Sequence, residues 1–374
     1  MIMFFKFRPN EFFSWLSDYE YTICFFSLII NIFHLTVLTR KYMRTSSIYV
    51  LLIGVCVSEI YSLSIPLKGK LEDFYDRWQK CPVPPSALQI YFNRIVLSTA
   101  DNTTRLSAWL CVFFAAVRVV VLRKISDNRF QMISAPGFGW ILMFFSFVTS
   151  FIISLSFYFK DQISEVGIWT PKHGCDSSSN SDIYQYKLIV SDLYTFGNGI
   201  FAVLFFLSSG FFSHLLPCLL YPVLIVFLSK EIRKSKKTQN GSSTVNPHQK
   251  RNEQTTILVN IISIFEFSIQ LFYSLIFILE LVNGDFGTGQ GTLDFTKYAR
   301  VGMKWAFAFN SSTRCFLCVL FSCRYRNAVR RMFGFRDSLT TNSHKPSSAH
   351  PSPSLQRSAS SILPPCSPKM ESSL

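Results

Sequence analysis

Residues 48–67 read IYVLLIGVCVSEIYSLSIPL, apolar throughout except for small hydroxyls and one carboxylate, Glu59. A helix needs about 20 such residues to cross about 30 Å of hydrocarbon. Lipid offers the backbone no hydrogen-bond partners, so the stretch is expected to span a membrane as a helix. Six further stretches read the same way: Tyr21–Thr39, Leu88–Leu122, Gly139–Phe159, Phe196–Leu228, Thr255–Leu281 and Tyr298–Phe321. The expected fold class is therefore all-α, a seven-transmembrane helix bundle. Charged residues make up 16% of the chain, well short of the roughly 25% usual in soluble domains.

Charge sets the expected orientation. The net charge of +15 is concentrated in blocks beside alternate span ends: Arg40, Lys41 and Arg44; Arg123, Lys124 and Arg129; Lys230, Arg233, Lys234, Lys236 and Lys237; Arg324, Arg326, Arg330 and Arg331. Basic residues stay on the cytoplasmic side, which puts the N-terminus outside and the C-terminus in the cytoplasm of a plasma-membrane protein. Blocks divided among embedded helices do not form a nucleic-acid surface. Membrane lipids are their ordinary partner, and a cytoplasmic protein is the sharper alternative. Lys6, Arg8 and Glu11 interrupt the early apolar run, so no cleavable signal peptide is expected.

The expected organisation is an extracellular N-terminus over residues 1–20 and a membrane domain over 21–321. A short amphipathic interfacial helix follows over 322–335, then a disordered Ser/Pro-rich cytoplasmic tail over 336–374. The stretch RYRNAVRRMFGF, Arg324–Phe335, alternates arginine with apolar residues, as an interfacial helix does. The tail is too poor in apolar residues to fold, and Ser358 and Ser360 beside Arg357 are candidate phosphorylation sites. The fifth run is too short for two spans, so one long helix is expected, bent near Gly210, Pro217 or Pro222. The third run carries Asn93, Arg94, Asp101, Asn102 and Arg105 in its outer half, which predicts a buried, central helix.

Most of the ten cysteines lie in apolar helices, where a thiol acts as a small hydrophobe. Cys81 and Cys175 alone fall in expected outer loops; they form either one disulfide or two free thiols. Cys315-x-x-Cys318 lies within an apolar helix without a second pair and does not read as a metal or redox site. Three glycosylation sequons, at Asn102, Asn240 and Asn310, fall in helices or on the cytoplasmic side and are expected to stay unused.

Buried polar residues are the candidate functional groups. Asn31, Glu59, Ser107 and Asn310 lie deep in the first, second, third and seventh spans and could form one network holding a water or a sodium ion; the alternative is unrelated local hydrogen bonds. Asp101 and Arg105, one turn apart near the outside, either pair with each other or orient a charged ligand. Arg118, at the inner end of the same helix, either reaches lipid headgroups or contacts a signalling partner.

These residues resemble the rhodopsin-like G-protein-coupled receptors, and within them the nematode serpentine receptor class W group, which is similar to FMRFamide-type peptide receptors. The resemblance rests on Asn31-Ile-Phe-His34, Leu38-Thr-Arg-Lys41 and Met43-Arg-Thr-Ser-Ser47 in the first helix and loop. Arg105-Leu-Ser-Ala-Trp109 and Ala116-Val-Arg118 carry it in the third helix. Pro217, Glu231-Ile-Arg-Lys-Ser-Lys236, Asn310-Ser-Ser312 and Tyr325-Arg326 carry it further on. There are departures. Glu59 stands where Asp is usual, and Val117 where an acidic residue precedes the arginine. Arg314 and Cys318 replace Asn and Tyr of Asn-Pro-x-x-Tyr, and the sixth span has no proline.

The resemblance implies a receptor that passes ligand binding to a heterotrimeric G protein, with arrestin reading the phosphorylated tail. The ligand would be an extracellular neuropeptide or, as the alternative, a small odorant or pheromone. A long second outer loop with Asp161, Glu165, Asp176 and Asp182 favours a peptide. A transporter is the competing class, but it would be expected to show internal repeats or broken helices at matching positions. No cofactor, metal or enzyme activity is expected, since the six histidines are scattered.

Overall fold

The structure is a computed structural model and describes residues 9–79, 81, 83–123, 132–170, 183–240, 247–282 and 294–334. Lys124, Arg129, Cys175, Asp176, Asp182 and the tail with Arg357, Ser358 and Ser360 lie outside the described residues.

The helices are α1 (Pro9–Leu38), α2 (Ser47–Trp78), α3 (Ala87–Arg123) and α4 (Pro136–Tyr158), followed by a compound α5. This fifth element runs Ile200–Gly210, then a π turn Phe211–Leu215, then Leu216–Asn240. After it come α6 (Pro247–Val282), α7 (Asp294–Phe321) and α8 (Cys323–Met332). Among the described residues, six helices are long and apolar enough to cross a membrane by themselves; α7 qualifies only together with α8, from which it is bent by 97°. The reason is composition: α7 contains Arg300, Lys304 and Arg314. The architecture is a seven-transmembrane helix bundle.

Several helices run past the expected spans: α1 starts at Pro9, α2 ends at Trp78, α5 ends at Asn240 and α6 starts at Pro247. Helical backbone needs no apolar side chains to continue, so α2 carries on through Glu72, Asp73 and Asp76.

Position in the bundle follows the face each helix offers. The spanning windows of α2 and α3 are each 67% buried, whereas that of α4 is 22% buried. Accordingly α3 is central, and α4 turns Ile141, Phe144, Phe151 and Ile152 outward, where lipid is the matching solvent. The opposite face of α4 buries Ser146, Ser150 and Ser154, a stripe at four-residue spacing. Leu51 of α2, Leu110 and Phe114 of α3, Tyr221 of α5 and Leu258 and Ile262 of α6 meet in the core.

The π turn in α5 has a local cause. Pro217 has no N–H, and its ring crowds the carbonyl four residues earlier, so the helix widens into the π turn just before it. The carbonyl of Phe212 in that turn accepts a hydrogen bond from Trp109 Nε1 of α3 at 3.0 Å. Gly210, at the start of the turn, lies so close to the Phe277 ring of α6 that an added Cβ would meet it at 1.9 Å.

Outside the bundle, the loop after α4 forms an antiparallel hairpin of β1 (Asp161–Ile168) and β2 (Tyr184–Val190). Asp161 pairs with Val190, and the register slips between Glu165 and Gly167, where Gly167 takes φ +145°. A bulge there suits glycine, which alone tolerates that backbone at little cost. The sequence reading placed a long acidic loop here without strands.

At the end of the bundle opposite the hairpin, Ser322 caps α8 by accepting from Tyr325 N. Tyr325 is fully buried, and its hydroxyl meets His34 Nδ1 of α1 at 2.8 Å. Tyr42 donates to the Ala328 carbonyl at 3.1 Å, so α8 is tied to the first helix and the loop after it. Among the described cysteines, Cys24, Cys56, Cys111, Cys218, Cys315, Cys318 and Cys323 are free. Cys81 is disulfide-bonded.

Candidate functional site

Functional groups lie at three depths. The outermost is a cavity of about 590 Å³ between α3, α5, α6, α7 and the hairpin. Asp101, His214, Tyr273, Glu280, Arg300 and Lys304 line it, with Phe205, Phe206 and Phe277 as apolar wall. The His214 and Tyr273 rings stack with centroids 5.1 Å apart and planes 6° from parallel. Its volume is that of a site for a small organic ligand.

The structure brings Asp101 and Arg105 together and gives them different surroundings. Arg105 Nη2 contacts Asp101 Oδ2 at 2.7 Å. Asp101 lines the cavity, but Arg105 does not, and its side chain is 1% exposed. Its remaining donors are engaged: Nε with Ser213 at 2.7 Å, and Nη1 with the Ser150 carbonyl and with Ser154 Oγ, both at 3.0 Å. Arg105 is thus a strut holding Asp101 in place from α4 and α5. The serines were not foreseen; the signal was the stripe Ser146, Ser150, Ser154 on an otherwise apolar helix.

At mid-depth, Arg314 of α7 is ion-paired with both Glu59 of α2 and Glu266 of α6. The three are 2%, 1% and 4% exposed. Around them, Ser311 donates to Glu59 Oε2 at 2.7 Å and Ser107 to Glu59 Oε1 at 3.3 Å. Asn310 donates to Glu266 at 2.5 Å, and Asn31 donates to Ser311 Oγ at 2.7 Å. Asn31, Glu59, Ser107 and Asn310 therefore stand in one set of contacts, but only through Ser311, Arg314 and Glu266, which sequence reasoning had not assigned to it. The available signal was charge: Glu266 and Arg314 are ionisable residues inside apolar spans, where an isolated charge costs about 2.5–3.5 kcal/mol or more. Arg314 also means that the chain supplies its own cation between the two carboxylates.

At the far end of the bundle from the cavity, Arg118 is 4% exposed and meets Thr256 of α6 through Nε at 3.1 Å and Nη2 at 2.8 Å. Val117 stands where the family has an acidic residue, and the Thr256 hydroxyl of another helix accepts from the guanidinium. Among the described residues, no group of three His, Cys, Asp or Glu could hold a metal ion.

Residues 18–336 fit the family described as the serpentine type 7TM GPCR chemoreceptor Srw. The chain belongs to that family. Comparison with individual curated proteins found no match. The Srw chain is accordingly a multi-pass membrane protein of the G-protein-coupled receptor class. The membership covers all seven helices and α8, so the cavity, the mid-depth charges and the Arg118 contact all lie within the matched region.

Proposed function

We propose that this Srw protein is a plasma-membrane chemoreceptor that binds an extracellular ligand in the 590 Å³ cavity and passes the signal to a heterotrimeric G protein through α6. The observation that carries this reading is a series of contacts along that one helix. Glu280 at the cavity wall accepts from Arg300 of α7, Glu266 at mid-depth pairs with Arg314 of α7, and Thr256 at the inner end holds Arg118 of α3. Glu280 and Thr256 are 24 residues apart, about 36 Å of helix at 1.5 Å per residue, so one rod reaches from cavity to inner face.

A ligand that prefers one position of α6 shifts the equilibrium between two states of the bundle. A G protein that prefers the same state is then coupled to it, reciprocally. In this scheme Asp101 contacts ligand, Arg105 positions Asp101, and Arg118 is released from Thr256 to meet the G protein. The N-terminus faces outward, and α8 lies in the inner lipid interface with its arginines at the headgroups. Cys81 is paired with Cys175, tying the outer end of α3 to the hairpin loop, and arrestin reads the phosphorylated tail.

The cavity volume and the family favour a small molecule as ligand. A neuropeptide is a second reading, favoured by the acidic residues Asp161 and Glu165 on β1. Co-expression with a promiscuous G protein, a panel of small molecules and amidated peptides, and a second-messenger readout test the proposal. Arg118→Ala should remove the response while ligand binding persists. Asp101→Ala should raise the concentration required at unchanged surface level. A full response from Arg118→Ala would remove that residue from the mechanism, and ligand-driven flux without any G protein would replace the receptor reading by a transporter.

A further inference from the structure

The chemistry of the cavity limits what it can hold, granted the reading above that it is the ligand site. Its lining contains three acids, Asp101, Asp161 and Glu280, and three bases, Lys160, Arg300 and Lys304. The charges below its mouth are already matched. Asp101 is paired with Arg105 at 2.7 Å, Glu280 with Arg300 at 2.5 Å, and Lys304 with Glu20 at 2.9 Å. Lys160 and Asp161 are chain neighbours of opposite sign at the hairpin. A charged ligand competes with one of these pairs, whereas an uncharged one leaves every pair intact.

His214 enters this lining from the π turn that Pro217 imposes. The Gln270 side chain of α6 lies against the imidazole, but neither His214 Nδ1 nor Gln270 Oε1 completes a well-formed hydrogen bond, and Ser274 Oγ, one turn on from Gln270, is likewise buried without one. Buried polar atoms are seldom left short of a hydrogen bond, so a polar group meeting this imidazole from the cavity completes a loosely paired corner. An imidazole nitrogen suits an amide or hydroxyl, which can donate or accept. The stacked Tyr273 ring and the Phe205, Phe206 and Phe277 wall suit an aromatic or aliphatic body.

We propose that the cavity takes an uncharged, predominantly apolar molecule carrying one hydrogen-bonding group, which is read by His214 at the π turn of α5.

The test uses the full chain in lipid nanodiscs and four probes that share a phenylalkyl body: 2-phenylethanol, ethylbenzene, 2-phenylethylamine and phenylacetic acid, the last two charged at neutral pH. Binding is read by saturation-transfer NMR. Ala202→Trp, which fills the cavity from α5, serves as the blocked control. His214→Phe keeps a ring on Tyr273 and removes the nitrogens. Unchanged thermal midpoints without probe establish that both variants fold. The expected result is that 2-phenylethanol binds at least about tenfold tighter than either charged probe and loses binding in Ala202→Trp. His214→Phe should weaken 2-phenylethanol by about tenfold and leave ethylbenzene unchanged. A charged probe that binds tightest, and is lost in Ala202→Trp, overturns the inference while leaving the cavity as the ligand site. Equal loss of both neutral probes in His214→Phe overturns the role of His214. Absence of any Ala202→Trp-sensitive binding overturns the cavity as the ligand site and the inference with it.

Discussion

Arg314 of α7 is ion-paired with Glu266 of α6, and both are buried at mid-depth with the same guanidinium also holding Glu59 of α2. Three spans thus share one charge cluster, placed between the cavity and the Arg118 end of the bundle. Breaking a buried pair by removing one partner costs about 3–5 kcal/mol. Any displacement of α6 away from α7 has to oppose that pairing.

Glu266→Gln keeps a hydrogen-bond acceptor for Asn310 but removes the charge that holds Arg314 to α6. Arg314 retains Glu59, so the loss of stability should be smaller than for a fully orphaned charge, about 2 kcal/mol. Signalling without ligand should rise, because the state in which α6 sits against α7 loses its pair. Thermal unfolding of the purified receptor and basal second-messenger output measure the two effects. Lowered stability with unchanged basal output would make the pair purely structural.

Thr256→Val removes the hydroxyl that accepts from Arg118 and preserves the shape of the side chain. Basal signalling should increase, in contrast to Arg118→Ala, which should be silent at equal surface expression. If Thr256→Val is silent as well, the hydroxyl does not restrain Arg118.

Gly210→Ala places a methyl group where Phe277 already sits, at 1.9 Å from its ring. The ring must shift, and Phe277 lines the ligand cavity. Overpacking of this kind costs about 1–3 kcal/mol. A loss of ligand potency larger than the loss of surface expression is expected. The double variant Gly210→Ala, Phe277→Leu should recover potency, since the smaller side chain relieves the contact; failure to recover would mean that Gly210 acts on something other than Phe277.

Cys81→Ala and Cys175→Ala should lower surface expression to the same extent, and the double substitution should add little, as two members of one bond do. Additive losses would separate the two cysteines.

A tag placed after Leu374 should be reached by antibody only in permeabilised cells, because the basic blocks at Arg40–Arg44 and Lys230–Lys237 hold their side of the bundle in the cytoplasm. Labelling of intact cells would invert the topology.

Local properties were legible from the chain alone. Seven runs of apolar residues specify seven spans because span length is a matter of consecutive residues and bilayer thickness. The Asp101–Arg105 pair was open to view for the same reason, being one turn apart on one helix. The polar outer half of α3 announced a central helix, and Pro217 announced the irregularity in α5. The hairpin was hidden by its own sequence: β1 and β2 are short, outside the bundle and mostly exposed, so little hydrophobic alternation marks them.

Partnership between helices was another matter. Glu266 and Arg314 are 48 residues apart, Glu59 and Arg314 are 255 apart, and Arg118 and Thr256 are 138 apart. Each could be recognised in the sequence as a polar group that lipid would not tolerate alone. Which group answers which depends on the rotation and depth of whole helices, set by how Leu110, Phe114, Tyr221 and Ile262 fill the core. The chain alone therefore determined that the protein crosses the membrane seven times and that buried charges must be paired. Tertiary packing decided that Arg314 pairs with two glutamates, that Thr256 receives Arg118, and that His214 lines a cavity beside Gln270, because side-chain contact between helices is a property of their mutual placement and of no single segment.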